Sequence, residues 1–224
     1  MSSNKPSETP SKQPMLNSQL LNAMKSSAGK LSLFVFICIV FLLLVRGFTV
    51  DKIAESERQK MLETFHQVLP HNLYDNDPLE DTRLVKNPAL LQLLGSQQAV
   101  TLYRARKGIQ PAGVIFQTIA PNGYSGNIYI LIGILPNGQI TGVRVLKHAE
   151  TPGLGDKIET TKSDWIYEFD HKVLTPGNEV HWKVQKDGGD FDQFTGATIT
   201  PRAVVNAVKN ALEFVNQMGD KIYE

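Results

Sequence analysis

The run LSLFVFICIVFLLLV at residues 31–45 carries no charge, glycine or proline. A stretch this apolar reads as a membrane span, which needs roughly 20 residues to cross a bilayer core. Residues 28–50 supply that length, and the only charges within them are Lys30 and Arg46, close to its two ends, where long stems can carry the head groups to the boundary. A helix satisfies its own backbone polar groups, so a single span is physically sufficient in lipid. A cleaved signal peptide would have an apolar region of about 7–15 residues followed by a small-x-small site. Here thirty residues precede the run and no such site follows Val45, so the run reads as an uncleaved anchor. Lys5, Lys12, Lys25 and Lys30 precede the span, while Arg46, Lys52, Arg58 and Lys60 follow it. Near the span this balance leans slightly away from a cytoplasmic N-terminus.

The anchor divides the chain. Residues 1–27 are rich in Ser, Asn, Lys, Gln and Pro and are predicted to be a disordered tail. Residues 51–98 form a connector. Its first part, DKIAESERQKMLETFHQVL, sets Ile53, Met61, Leu62, Phe65, Val68 and Leu69 at helical spacing before Pro70 stops the pattern. His66 on that helix reads as a surface or core histidine. Residues 71–98 are polar and irregular, with room for short helical pieces.

From residue 99 the pattern becomes that of strands. TLYRARKG, GVIFQTIA, GNIYILIGIL and GQITGVRVLKH are rich in β-branched and aromatic residues. Pro121-Asn122-Gly123 and Pro136-Asn137-Gly138 stand between them, and Asn-Gly is a hairpin signal because both residues tolerate positive φ. The expectation is an antiparallel sheet of about four strands. A short helix capped by Ser163 follows at 163–169, then a strand at 181–185. The last element is a helix over 201–218 with Thr200 as N-cap, Pro201 in its first position and Val204, Val208, Ala211, Leu212 and Val215 as its apolar stripe. Helices set apart from an antiparallel sheet, after one N-terminal transmembrane helix, give the α+β class.

Composition narrows the chemistry. The net charge of +1 offers no basic field for nucleic acid. Cys38 is the single cysteine, so an intrachain disulfide, a cysteine-ligated iron–sulfur cluster and a CxxCH haem attachment are all excluded within this chain. Any redox cofactor here is expected to be organic, and no protein-held metal is expected.

Against that background the segment FTGATITP at 194–201 stands out. It enters a helix N-terminus, where unpaired N–H groups and the positive end of the dipole suit an anion such as phosphate. By residue types alone it suits an ordinary capped turn equally well. It lacks a Walker lysine.

The residues Asp192-Gln193-Phe194-Thr195-Gly196-Ala197-Thr198 match the D-x-x-[ST]-G-A-[ST] signature of proteins that carry covalently attached FMN. Together with Gly123-Tyr124-Ser125-Gly126, with HAETPGLGDK at 148–157 and with Ser163-Asp164-Trp165, they make the chain resemble the G subunits of Rnf/Rsx electron-transport complexes. The C subunits of sodium-pumping NADH:quinone reductases share the signature and are the near alternative. The resemblance implies FMN esterified to Thr198, attached by a flavin transferase that uses FAD and a divalent metal and recognises Asp192, Thr195, Gly196, Ala197 and Thr198. It implies other membrane subunits of the complex as partners. It further implies electron transfer coupling ferredoxin and nicotinamide to ion movement, in a bacterial inner membrane, with the large domain periplasmic and the tail cytoplasmic. Glu150, Thr151, Gly153, Leu154 and Gly155 are the candidates for ring or ribityl contacts. Lys157 and Arg202 are phosphate partners by charge; His148 and Trp165 have both flavin-facing and structural readings. A noncovalent phosphate-ligand module and a cofactor-less scaffold are the rivals from other classes.

Overall fold

The computed structural model describes residues 13–224, with side chains from residue 22 onward except at 48–51, 53 and 54. The chain divides into two compact units, residues 1–58 and 59–224. One helix, α1 (Gln13–Val68), runs through the boundary. Residues 13–27, expected in a disordered tail, therefore lie in helix, and the rest of that expectation falls outside the described residues.

In the first unit, Asn22–Gly47 is long and apolar enough to cross a membrane, and no part of its most apolar window is buried by protein. Phe34, Phe36, Phe41, Leu42 and Leu43 are each more than 60% exposed. Such side chains are costly in water and comfortable in lipid, at about 25 cal/mol per Å² of apolar surface.

The second unit is an α+β domain around a five-stranded antiparallel sheet in the order β1-β2-β3-β4-β5. The strands are β1 (Thr82–Val85), β2 (Val100–Lys107), β3 (Gln110–Gly123), β4 (Gly126–Ile134) and β5 (Ile140–Lys147). The edge strand β1 lies in the segment expected to be irregular; its four residues are too few for a periodic signal. The short helix α2 (Pro88–Leu93) follows, with Asn87 Oδ1 accepting from Ala89 N–H at 3.0 Å as its N-cap.

Alternation along β3 and β4 sends residues to two cores. Val114, Phe116, Ile128, Ile130, Ile132 and Ile134 join the larger core beneath α3 (Ile199–Met218), where the rings of Phe116 and Phe214 sit 5.3 Å apart. The stripe expected on this helix, Val204, Val208, Ala211, Leu212 and Val215, is buried there throughout. Ile115 and Leu131 face the other way, onto Phe65, Val68 and Leu69 from the end of α1. That helix end approaches the sheet backbone closely because the cross-strand pair Gly133 and Gly142 leaves room. A Cβ on Gly133 would lie 2.4 Å from the Val68 carbonyl oxygen, and one on Gly142 would lie 2.8 Å from Val68 Cα. Thr141 Oγ1 donates to the same Val68 carbonyl at 2.5 Å.

Several local expectations change. The 121–123 Pro-Asn-Gly lies at the end of β3, and the reversal is the two-residue turn Tyr124-Ser125 between the paired Gly123 and Gly126. The second Pro-Asn-Gly does turn the chain: Gly138 N–H donates to the Leu135 carbonyl at 2.9 Å with φ +82 at Gly138. Residues 181–185 make no strand; they contribute to two 3-10 turns and a single bridge from Val184 to Phe191. The short helix expected at 163–169 is 3-10 over Trp165–Phe169, and Ser163 Oγ does accept from its first N–H at 3.0 Å.

Asp81 locks β1 to β2 and, through Arg106, to the C-terminus. It accepts from Arg104 Nε and from Arg106 Nε, each at 2.6 Å, and Arg106 Nη2 donates to the Tyr223 carbonyl at 2.7 Å. Burial alone would raise the Asp81 pKa, but the hydrogen bonds from Arg106 and Arg104 outweigh it and hold the carboxyl below its ordinary value. The stability this supplies is present above the unfolded aspartate pKa of about 3.9 and is lost as pH falls through the folded value. Asp81→Asn is therefore expected to cost about 1–3 kcal/mol at neutral pH. That penalty should shrink markedly in urea titrations near pH 3; one independent of pH would contradict the pairing.

Candidate functional site

The site is built where the hairpin turn at 123–126, the loop at 148–155 and the first turn of α3 meet. The turn Phe194-Thr195-Gly196-Ala197 closes with Ala197 N–H donating to the Phe194 carbonyl at 3.1 Å. Gly196 takes φ +84, a conformation that other L-residues adopt at a cost, and its missing Cβ would sit 3.6 Å from Leu154 Cδ2. Thr198 is the residue before the helix. It is half-buried, and its hydroxyl makes no capping hydrogen bond.

Thr200, expected to be the cap, lies inside α3 and is 1% exposed. Its Oγ1 donates to Glu150 Oε2. The helix thus begins two residues earlier than the sequence suggests, and Pro201 becomes its third residue, still within the first turn where no intrahelical donor is lost. The two threonines have different fates: one hydroxyl is bound into the fold, while the other is left uncommitted by the helix cap.

Glu150 ties the three segments together. Its side chain is 4% exposed, and a carboxylate so buried is costly unless hydrogen bonded. Besides the Thr200 hydroxyl on Oε2, Oε1 accepts from Ser125 N–H at 3.0 Å. Glycines line this carboxylate because nothing larger fits. A Cβ at Gly123 would come within 2.9 Å of Glu150 Oε1, and one at Gly155 within 2.8 Å of Thr200 Oγ1. His148 orients the loop from behind. Its Nδ1 accepts from Glu150 N–H at 3.0 Å, so the ring proton lies on Nε2, which faces Glu159 Oε1 at 2.6 Å. This hydrogen bond holds the Glu159 carboxyl below its ordinary value. The structural reading of His148 is the one its contacts support.

Thr151 shapes the rest of the loop, its carbonyl accepting from the N–H groups of both Leu154 and Gly155 at 3.1 Å. On the segments gathered by Glu150, three large apolar side chains stand in solvent: Tyr124 at 68%, Leu154 at 43% and Ile199 at 46% exposed. Leu154 lies against the turn, its Cδ2 3.6 Å from where a Gly196 Cβ would sit, so exposed apolar surface stands beside a helix N-terminus whose unpaired N–H groups suit an anionic tail. The residues present therefore fit FMN. Arg202 points elsewhere: its guanidinium forms a two-point pair with Asp187, Nε to Oδ2 at 2.6 Å and Nη2 to Oδ1 at 2.9 Å.

Asp192 is exposed but firmly held. Its N–H donates to Glu168 Oε2 at 3.1 Å, its carbonyl accepts from Trp165 Nε1 at 2.9 Å, and its Oδ1 accepts from Gln185 Nε2 at 2.5 Å. Trp165 is 5% exposed and packs edge-on against Phe194 and Phe169, at 5.1 and 5.4 Å between ring centroids. It is a core residue. Burial pushes the Glu168 carboxyl above its ordinary value. Among the described residues, no group of three or more His, Cys, Asp or Glu side chains is placed to hold a metal ion.

Glu150, named from the sequence as a candidate for ring or ribityl contacts, is instead a buried tie between segments, and nothing in the sequence pointed to Ser125, Glu168 and Gln185 as partners in this region. Their contacts span 25, 24 and 7 residues of chain, and no local periodicity signals them.

Residues 123–213 match the model of the FMN-binding domain family. The G subunit of the ion-translocating oxidoreductase complex of Vibrio atlanticus (strain LGP32) is 44% identical over 198 residues, covering 88% of this chain and 93% of its own. The corresponding protein of Shewanella amazonensis (strain ATCC BAA-1098 / SB2B) is 47% identical over 186 residues, covering 83% of this chain and 85% of its own. The crystal structure of Shewanella oneidensis NqrC superposes with a TM-score of 0.43 at 22% identity, over 66% of this chain and 72% of that one. The chain belongs to the family of ion-translocating oxidoreductase complex G subunits, and residues 123–213 are its FMN-binding domain.

Proposed function

We propose that this chain is a membrane-anchored flavoprotein subunit that carries FMN in phosphoester linkage to Thr198 Oγ1 and relays electrons within an ion-translocating redox complex. The observation that carries the reading is the contrast between two neighbouring hydroxyls: Thr200 is bound to Glu150, while Thr198 makes no capping bond at the mouth of α3. FMN, when bound, supplies the reversible redox chemistry.

The chain's own residues do the rest. Thr198 provides the ester oxygen. The first-turn N–H groups and the helix dipole offset the charge of the phosphate. Leu154, Ile199 and Tyr124 offer apolar surface to the ring, and Thr151, Gly153 and Gly155 shape the loop that carries Leu154. Thr195, Gly196 and Ala197 form the tight turn that presents Thr198.

A threonine hydroxyl needs activation to act as a nucleophile. A separate flavin transferase supplies it here, breaking the diphosphate of FAD, forming the Thr198 Oγ1–phosphorus bond and releasing AMP and a proton. Asp192 and the turn after it are the elements that enzyme reads. Covalent attachment keeps the flavin beside its partners at high effective concentration whatever the free flavin level. The partners are the other membrane subunits of the complex. The large domain lies on the periplasmic side of a bacterial inner membrane, with the N-terminal tail in the cytoplasm.

Coexpression with a flavin transferase is expected to raise the intact mass by FMN less one water. The adduct should vanish in Thr198→Ala, persist in Thr195→Ala and decrease in Asp192→Ala. An unmodified wild type, or flavin lost on denaturation, would favour a noncovalent phosphate-ligand module. For orientation, Ile109 is 86% exposed at the β2–β3 turn. In a Cys38→Ser background, Ile109→Cys should react with a membrane-impermeant maleimide added to cells with an opened outer membrane. Labelling only after the inner membrane is lysed would reverse the placement.

A further inference from the structure

We infer that Trp165 and Glu168, on the short 3-10 helix Trp165–Phe169, are positioning residues for flavin attachment: they fix the backbone of Asp192 so that the folded domain presents Asp192 and Thr198 to the transferase in one geometry. The inference rests on the attachment reading above. Both backbone polar groups of Asp192 are taken by this helix, the N–H by Glu168 Oε2 at 3.1 Å and the carbonyl by Trp165 Nε1 at 2.9 Å. The chain therefore has no freedom to rotate either peptide plane at Asp192 without losing a bond. The side chain is turned by a third contact, with Gln185 Nε2 at 2.5 Å from Oδ1.

The anchor is rigid where the anchored residue is exposed. Trp165 and Phe169 are buried, and the Trp165 ring packs on Phe194, two residues beyond Asp192. From Phe194 the turn to Ala197 is closed by a backbone hydrogen bond of 3.1 Å, and Thr198 follows directly. A continuous mechanical path thus runs from the 3-10 helix through Asp192 and Phe194 to the acceptor hydroxyl. An enzyme that reads an exposed carboxylate and a hydroxyl six residues away gains from having their separation fixed beforehand, because the ordering cost is met by the folded domain. Neither Trp165 nor Glu168 needs to touch the incoming nucleotide for this.

The test is steady-state FMN transfer from FAD, with a divalent metal, to the full-length chain in detergent, with acceptor concentration varied. Trp165→Phe removes the indole donor and keeps an aromatic ring in the core; Glu168→Ala removes the acceptor. Each is expected to raise the KM for the acceptor about tenfold with kcat nearly unchanged, the scale of one lost hydrogen bond to a fixed polar group. Glu168→Gln keeps a carbonyl oxygen that accepts the Asp192 N–H and should restore the wild-type KM. Wild-type KM in both Trp165→Phe and Glu168→Ala would overturn the inference, as would a fall in kcat at unchanged KM, or a synthetic peptide over 185–205 labelled as well as the chain. Should Glu168→Ala fail to fold, Trp165→Phe and the peptide decide it. Absence of adduct on the wild type would instead overturn the attachment reading, and this inference with it; adduct on the wild type with unaltered KM in the variants removes this inference alone.

Discussion

A single buried carboxylate holds the site together. Glu150 is 4% exposed, yet it receives a hydroxyl from the first turn of α3 and an N–H from the turn between β3 and β4. Three segments far apart in sequence meet there. Without those two donors the carboxylate would be an uncompensated buried charge, and the loops would have to open to hydrate it. The glycines at 123 and 155 follow from the same constraint, since any side chain would push into the carboxylate or into the Thr200 hydroxyl. Thr198 is left at the helix mouth because its neighbour Thr200 satisfies Glu150.

This division of labour explains why a run of small and hydroxylated residues occupies 195–200. One hydroxyl fastens the helix to the loop, one stands before the helix without a capping bond, and Gly196 makes the turn that separates the core-facing Phe194 from Thr198. The sheet supplies rigidity beneath. Its α3 face is built from alternate residues of β3 and β4, while its opposite face receives the end of α1 over Gly133 and Gly142. The α3 side of the domain and the last turn of α1 therefore share one sheet.

Much of this was legible in the sequence, for physical reasons. The apolar run at 31–45, the alternation in the four long strands and the stripe on α3 are periodic signals repeated over many residues, so single exceptions do not obscure them. What failed was local punctuation. The 121–123 Pro-Asn-Gly looks like a turn, but Gly123 is needed beside Glu150, and the reversal moves on to Tyr124-Ser125. Thr200 has the composition of an N-cap, but a buried carboxylate 50 residues away takes its hydroxyl. Val184 and its neighbours have strand character, yet they pair with Phe191 at one bridge only. In the first two cases a long-range contact, invisible to a sequence window, outweighs the local preference. The residues of the D-x-x-[ST]-G-A-[ST] signature are contiguous and so can be read in a sequence window; the Glu168 and Gln185 contacts that hold Asp192 were not legible because they are not local.

The most direct measurement is amide hydrogen exchange on the full-length chain with Glu150→Ala beside the wild type. If this carboxylate assembles the site, exchange at Ser125 should quicken by at least about tenfold, the scale of an unsatisfied buried partner, while amides in β3, β4 and the middle of α3 keep their protection. Unchanged exchange at Ser125, or loss of protection spread evenly over the whole domain, would contradict the account.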